Sequence, residues 1–142
     1  MKMTLVCLLL SCALFARSQS GSGTYKSNGY ENCTWYEEAN KISDCKINWQ
    51  DAEIEIDEAA SSIDISAGSD ISYTIIDKST EVVNAEETNI YYLVKDESGN
   101  YLECRLNELR TLKTLYIVSC DKDENPIFYN NKASVKGWVL SE

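Results

Sequence analysis

Carboxylates, tyrosines and cysteines are the residues of this chain that could do chemistry. Its 142 residues include 23 aspartates and glutamates, nine tyrosines and six cysteines, but no histidine. A chain without histidine lacks the commonest general base, the usual serine and cysteine triads and most zinc sites. The carboxylates occur in runs such as EEANK at 37–41 and EIEIDE at 53–58, which is typical of a solvated strand edge. With no nucleophile paired to a base, the sequence predicts a protein that is not an enzyme and has no cofactor.

The segment DKDENP at 121–126 partly matches a calcium-binding loop. Asp121, Asp123 and Asn125 fall at the first, third and fifth ligand positions of an EF-hand. The sixth position, which should be glycine, is Pro126, and the twelfth, which should be glutamate, is Lys132. The pattern therefore favours an acidic hairpin turn without a bound metal, and weak calcium binding is the alternative.

The first residues have the layout of a secretory signal peptide. A lysine at position 2 precedes an apolar run from Leu5 to Ala16 and then small polar residues, and the run is too short to span a membrane. We predict a signal peptide at 1–18 with cleavage after Ser18, and cleavage after Ala16 is the alternative. The mature protein is then expected to be secreted and extracellular.

Four cysteines remain after this cleavage, namely Cys33, Cys45, Cys104 and Cys120. An even number of cysteines in a secreted chain predicts two disulfides, for which three connectivities are possible. The sequon at 32–34 makes Asn32 a candidate glycosylation site, so the protein is predicted to be a glycoprotein.

The mature chain is strongly acidic. Loss of Lys2 and Arg17 reduces the 13 basic residues to 11, which against 23 acidic residues gives a net charge of −12. Nucleic acids and anionic membranes would be repelled, and no cluster of basic residues offsets that repulsion. We therefore expect no nucleic-acid partner, and no membrane span is expected because no apolar stretch after the signal peptide approaches 18 residues.

Short alternating segments rich in β-branched and aromatic residues predict a chain of eight or nine strands. Residues 19–32 are expected to form a flexible N-terminal arm and 33–142 a single domain. Ile47 and Trp49 are out of phase with Ile54 and Ile56, which predicts a bulge or break near Gln50–Asp51. Residues 107–113 fit either a helical turn or a bent strand. The predicted strands are Thr34–Lys41, Cys45–Gln50, Glu53–Asp57, Ser62–Ser66, Ile71–Asp77, Ile90–Lys95, Tyr101–Leu106, Thr114–Cys120 and Val135–Ser141.

This pattern predicts an all-β barrel or sandwich, and composition alone does not choose between them.

Four segments resemble the lipocalins. CTWYE at 33–37 resembles the G-x-W-Y-E motif that opens their barrel, and DCKINW at 44–49 resembles a second strand that begins with a cysteine. LYIVSC at 115–120 is similar to the penultimate strand, and GWVLSE at 137–142 to the last strand, W-x-L-x-R. The chain departs from the family at Cys33, where lipocalins have glycine, and at Glu142, where they have a basic residue. The sequence also ends before the usual C-terminal helix.

The resemblance implies an eight-stranded antiparallel up-and-down barrel, with a β-sandwich as the alternative fold. It implies structural roles for Trp35, which would close one end of the barrel beneath a cavity, and for Trp138. It also favours a disulfide between Cys33 and Cys120, which leaves Cys45 to pair with Cys104.

The function implied by the resemblance is that of a secreted carrier, which transports a small hydrophobic ligand in the barrel cavity. The alternative is a secreted β-sandwich or filled barrel that acts by surface recognition or inhibition of another protein. A cavity distinguishes the two hypotheses, because only the carrier requires an apolar void. The residues predicted to line it are Trp49, Tyr73, Ile75, Tyr92, Leu102 and Ile117.

Overall fold

Residues 20–141 are described by a computed structural model, and the predicted signal peptide lies outside them. Eight strands form one ring-closed antiparallel sheet in chain order, in which the last strand pairs with the first. This confirms the predicted eight-stranded up-and-down barrel, and the β-sandwich alternative is wrong. No helix within 20–141 is long and apolar enough to cross a membrane. The strands are β1 (Gly23–Tyr36), β2 (Lys41–Asp57), β3 (Ser62–Ala67), β4 (Ser69–Val82), β5 (Glu87–Lys95), β6 (Tyr101–Leu109), β7 (Leu112–Ser119) and β8 (Lys132–Leu140).

The first strand begins earlier than predicted. β1 pairs with β2 from Gly23 onward, so the predicted flexible arm is wrong from that residue to Asn32. Alternation explains the difference, because Tyr25 and Ser27 are buried while Lys26 between them is exposed. The Gly- and Ser-rich composition of this segment hid that pattern. Residues 37–40, predicted to continue a strand, instead form the turn between β1 and β2.

Two register shifts interrupt the pairing of β1 with β2. Ser27 lies opposite Ala52, whereas Gly29 lies opposite Trp49, so β2 carries an additional residue around 50–51. This confirms the bulge predicted at that point. The second shift falls between Asn32 and Thr34 of β1. The ambiguous segment 107–113 is a hairpin and not a helical turn, since it contains the end of β6, a two-residue turn at 110–111 and the start of β7.

Apolar side chains of all eight strands pack together inside the barrel. Trp138 is 1% exposed and packs against the tilted ring of Tyr30, with 4.8 Å between ring centroids. Burial of so many aliphatic and aromatic side chains is the main stabilising term for a barrel of this size. The buried members of this core are Tyr25, Ala52, Ile54, Ile56, Ile63, Ile65, Tyr73, Ile90, Tyr92, Val94, Cys104, Leu106, Leu115, Ile117, Trp138 and Leu140.

A second, smaller cluster lies on the outer side of the wall. Since Leu115 and Ile117 face inward, the intervening Tyr116 and the following Val118 face outward. Trp35 belongs to this outer cluster and meets Phe128 edge to face, with 5.6 Å between ring centroids. The structure therefore places Trp138 in the core, while Trp35 does not lie beneath an internal cavity.

The N-terminal residues close one end of the barrel. The Glu58 carboxylate accepts hydrogen bonds from the Tyr92 hydroxyl at 2.7 Å and from the Gly21 N–H at 3.0 Å, and it pairs with Lys78 at 2.9 Å. The Tyr25 hydroxyl donates to the Gly21 carbonyl at 3.0 Å. A Cβ atom on Gly21 would lie only 2.0 Å from the Tyr92 hydroxyl oxygen, so glycine permits this close contact.

The disulfide pairing implied by the lipocalin resemblance is wrong. Cys33 bonds to Cys45 across the second register shift of the β1–β2 pair, with 4.0 Å between their Cα atoms. Cys120 cannot reach Cys33, because β8 lies between the strand it follows and β1. Cys104 faces the interior and cannot meet the exposed Cys45. Cys104 and Cys120 are therefore free and buried.

Candidate functional site

The six residues predicted to line a cavity fall in two places. Tyr73, Tyr92 and Ile117 belong to the packed core, and Ile75 and Leu102 are partly buried against it. The sixth residue, Trp49, lies apart from the other five, on the outer surface. Contact of any of the six with a ligand stays a prediction.

Burial governs the chemistry of the inward tyrosines. It raises the pKa of Tyr73 to about 12. Burial also raises the pKa of Tyr92, and the hydrogen bond from its hydroxyl to Glu58 raises it further. Both hydroxyls are therefore protonated at neutral pH, and neither serves as a base.

The position of Trp49 follows from the pairing of β2 with β1. Tyr30 of β1 packs against the core, so its neighbours Gly29 and Glu31 face outward. Trp49 and Ile47 lie directly opposite these two residues on β2 and are exposed, so they face outward too. An indole in a run of alternating apolar residues suggested an inner position, and the tertiary structure places it in solvent.

Trp49 borders a groove on the outer wall, which we call the Trp49 groove. Its volume is about 230 Å³, below the range of roughly 300–1,000 Å³ that is typical of small-molecule pockets. A space of this size suits one or two side chains of a partner better than an enclosed ligand. The groove is lined by Asn28, Gly29, Tyr30, Glu31, Ile47, Trp49, Val139, Leu140 and Ser141.

The floor of the Trp49 groove is backbone, because Gly29 lies at the first register shift of β1 and β2. A Cβ atom at Gly29 would lie 2.6 Å from the carbonyl oxygen of Asn48, closer than real side chains approach. Glycine therefore lets the two strands come together and leaves a depression above them. Any larger residue would fill the depression or push the strands apart.

Three apolar side chains around the Trp49 groove are in contact with solvent. Trp49 is 81% exposed, Ile47 58% and Val139 40%. Single exposed apolar residues are common on protein surfaces, but adjacent ones around a concavity mark interaction sites. Tryptophan is also among the residues that contribute most to binding at protein interfaces.

The edge of β2 beside the Trp49 groove is protected against pairing with another strand. Residues 41–50 of β2 have β1 on one side, and β3 pairs only with Glu53–Asp57. Bulges and lysines are common devices that prevent edge-to-edge association, and this part of β2 carries Lys46 and has two register shifts in its pairing with β1. The outward side chains are therefore a better candidate for recognition than the free backbone edge.

Carboxylates continue the outer face of β2 beyond Trp49. Glu53 and Glu55 point outward and are exposed, and Glu55 lies directly opposite Asp64 of β3. Like charges at directly opposed positions of a sheet are destabilising. Lys26 of β1 lies directly opposite Glu53, but the ion pairs found within residues 20–141 involve Glu58, Glu86 and Glu103 and none on this face.

A partly buried ion pair lies elsewhere on the outer wall. A carboxylate oxygen of Glu103 lies 3.6 Å from the Arg105 guanidinium, and burial raises the pKa of the Glu103 carboxyl. The Nε atom of Arg105 has no hydrogen-bond partner within the described residues. The adjoining cleft has room for about one water molecule, since its volume is only about 10 Å³. It is too small for a substrate.

Two further clusters of potential metal ligands have structural explanations. Glu31, Cys33 and Cys45 place ligand atoms within 4.8 Å of one another, but the disulfide occupies both sulfur atoms. Asp121 accepts hydrogen bonds from the backbone N–H groups of Asp123 and Asn125, each at 2.9 Å. Residues 121–125 thus form the acidic turn that the sequence predicted.

Comparisons with known proteins add nothing to the functional inference, which therefore rests on the fold and the Trp49 groove. No protein-family model, curated protein or solved structure matches the chain. The similarity to lipocalins therefore rests on the four segments described above. The sequence analysis missed Gly29, Ile47 and Val139 as groove residues. The phase difference between Ile47 and Ile54 was the signal that could have found the exposed side of β2.

Proposed function

We propose that the protein is a secreted recognition protein that binds another extracellular protein through the Trp49 groove. The observation that carries this proposal is the 81% exposure of Trp49 beside a groove on the outside of a packed barrel. The disulfide between Cys33 and Cys45 supports an extracellular setting, because such bonds persist in oxidising compartments. Asn32 is exposed, which suits the predicted glycosylation.

The packing of the interior favours surface recognition over transport of a ligand. A carrier requires a void between the inward side chains, whereas here they contact one another in a single cluster that includes the completely buried Tyr92. One end of the barrel is also covered by the segment that Glu58 holds. The apolar surface left for binding is therefore on the outside.

The size of the exposed patch suits a small set of strong contacts. A tryptophan at the centre of an interface commonly contributes about 2–4 kcal/mol to binding, which corresponds to roughly 30- to 1,000-fold in affinity. Ile47 and Val139 flank the groove and would exclude water around the buried indole. Truncation of Trp49 is then the most sensitive test of the proposal.

Selection from a displayed library of extracellular protein fragments tests the proposed function. Each selected fragment would be titrated against the wild-type protein and the Trp49→Ala variant. Tyr129→Ala is the control, because Tyr129 is 77% exposed but lies outside the Trp49 groove. We expect fragments that lose at least 30-fold in affinity with Trp49→Ala and less than about twofold with Tyr129→Ala.

Native mass spectrometry of protein secreted from a eukaryotic host tests the competing hypothesis of a small-molecule carrier. A small-molecule adduct that is lost on denaturation, together with displacement of an apolar dye, would overturn the proposal in favour of a carrier. The same sample shows whether the mature chain begins at Gln19, as cleavage after Ser18 predicts, and whether Asn32 carries a glycan.

A further inference from the structure

The Trp49 groove adjoins a face of net negative charge on β2 and β3. Residues along β2 advance by roughly 3.3 Å each, so Glu53 lies about 13 Å from Trp49 along the strand. Asp51 is exposed between them. Glu31 lines the groove itself. An extended segment bound in the groove would therefore meet carboxylates within a few residues of its apolar anchor.

Contacts within the barrel account for only part of these charges, since Asp64 accepts a hydrogen bond from the Ser72 hydroxyl and Lys26 lies directly opposite Glu53. Glu55 and Asp64 lie directly opposite one another and repel, although serine or threonine would serve an exposed strand position equally well. Lys26 makes no ion pair with Glu53 within residues 20–141, and the carboxylates of Asp51, Glu53, Glu55 and Asp64 outnumber it, so the face keeps a net negative charge. A partner with positive charge would relieve the repulsion and gain attraction at the same time.

We infer that the Trp49 groove binds an apolar side chain of an extended, lysine- or arginine-rich segment of the partner protein. The basic residues of that segment pair with Glu53, Glu55 and Asp64 on the outer face of β2 and β3. This inference rests on the proposed function and specifies the chemistry of the partner. A second copy of this chain is disfavoured as the occupant, because its 23 acidic residues outnumber its basic ones and the two faces would repel.

Three synthetic nine-residue peptides provide the test. The first has a central leucine with lysines at alternate flanking positions, the second has glutamates in place of the lysines, and the third has serine in place of the leucine. Each is titrated against the wild-type protein at about 0.02 M and about 0.2 M salt, over which screening of exposed charges increases strongly. We expect the lysine–leucine peptide to bind at least tenfold more tightly than the other two, and more weakly at the higher salt concentration.

Variants of the protein separate the two contributions. Glu53→Gln with Glu55→Gln should weaken binding of the lysine–leucine peptide by roughly 2- to 30-fold, as expected for the loss of two exposed ion pairs. The control is Glu97→Gln with Asp123→Asn, which removes the same charge from two exposed turns outside this face. It should change the affinity by less than about twofold, since distant exposed charges are screened. Thermal unfolding of each variant verifies that it is folded.

The outcomes distinguish this inference from the proposed function. If the glutamate peptide binds as tightly as the lysine peptide and both depend on Trp49, the charge inference is wrong and recognition through the groove stands. If the lysine peptide binds Trp49→Ala as well as wild type, the groove is not its site and the inference is overturned. Failure of all three peptides also overturns the inference, and the selected protein fragments then decide the proposed function separately. A dimer in sedimentation experiments that is lost with Trp49→Ala would show that the occupant is a second copy.

Discussion

Trp138 and Trp49 lie on two strands that flank β1, opposite the neighbouring residues Tyr30 and Gly29. Trp138 is 1% exposed and contacts the Tyr30 ring, and the Lys136 ammonium group lies 4.8 Å from its ring centroid. Trp49 is 81% exposed and borders a groove whose floor is the Gly29 backbone. The same side chain therefore stabilises the barrel at one position and offers surface for binding at the other.

The contrast between these two tryptophans shows that residues important for stability and residues available for binding lie on opposite sides of the barrel wall. The inner side of the wall is occupied by mutually buried side chains, so a change there removes packing contacts. The outer side near Trp49 has few contacts to lose, so a change there should alter binding and leave folding nearly intact. The predictions below test this separation.

The largest effect is expected for Trp138→Ala. Removal of a buried tryptophan typically costs about 3–5 kcal/mol in the free energy of unfolding, because transfer energy and packing contacts are both lost. Denaturant unfolding followed by circular dichroism measures this loss. A change below about 1 kcal/mol would contradict the placement of Trp138 in the core, and Trp138→Phe should recover part of the loss.

Loss of the disulfide is the next largest effect. Cys33→Ser with Cys45→Ser opens a loop with a sequence separation of 12, which in the chain-entropy account costs about 3 kcal/mol. Chemical unfolding of the double variant measures this cost.

Peptide mapping without reduction tests the pairing itself and should find the peptides of Cys33 and Cys45 joined. Alkylation of Cys104 and Cys120 should require unfolding, because both thiols are buried and the pKa of Cys120 is raised to about 11. A Cys33–Cys120 peptide would contradict the pairing.

Glu58→Gln should have an intermediate effect at the closed end of the barrel. Burial of the Glu58 carboxyl tends to raise its pKa, but hydrogen bonds from Tyr92, Gly21 and Lys78 outweigh it and lower the pKa below 4.5. A lowered pKa in the folded state means that this stabilisation is complete above about pH 4.5 and is lost as the pH falls through the folded-state value. At neutral pH we expect Glu58→Gln to cost about 1–2 kcal/mol.

Unfolding measured between pH 3 and pH 7 tests the Glu58 network. The wild-type protein should lose more stability on acidification than Glu58→Gln does, while Glu97→Gln, at an exposed turn, should follow the wild type. Equal pH dependence in all three proteins would show that Glu58 does not hold the N-terminal segment through its charge.

Trp49→Ala should have the smallest effect on folding. Surface substitutions usually change the free energy of unfolding by less than about 0.5 kcal/mol. Because Trp49 is much more exposed than Trp138, the Trp49→Ala variant should lack most of the tryptophan fluorescence that acrylamide quenches efficiently in the wild-type protein. A stability loss of several kcal/mol, or quenching unchanged from wild type, would contradict the exposed position. Together with the peptide titrations, this variant completes the comparison with Trp138→Ala.

The sequence determined the fold class and several local features of this protein. Alternation in EIEID at 53–57 predicted a half-buried strand, and the phase difference between Trp49 and Ile54 predicted the bulge at 50–51. Turn residues separated the strands, and the lipocalin-like segments suggested an eight-stranded barrel. Each of these features depends on residues that are close together in the chain, so the sequence alone is enough to predict it.

Only the tertiary structure decided which residues meet across the barrel. The pairing of Cys33 with Cys45 depends on a register shift and on the position of β8 between β7 and β1, neither of which spacing reveals. The start of β1 at Gly23 depends on its pairing with Ile56 of β2, which the composition of a Gly- and Ser-rich segment does not indicate. The exposure of Trp49 depends on the packing of the whole chain, because an indole suits a core as well as a surface. Here the inward side chains fill the barrel without Trp49.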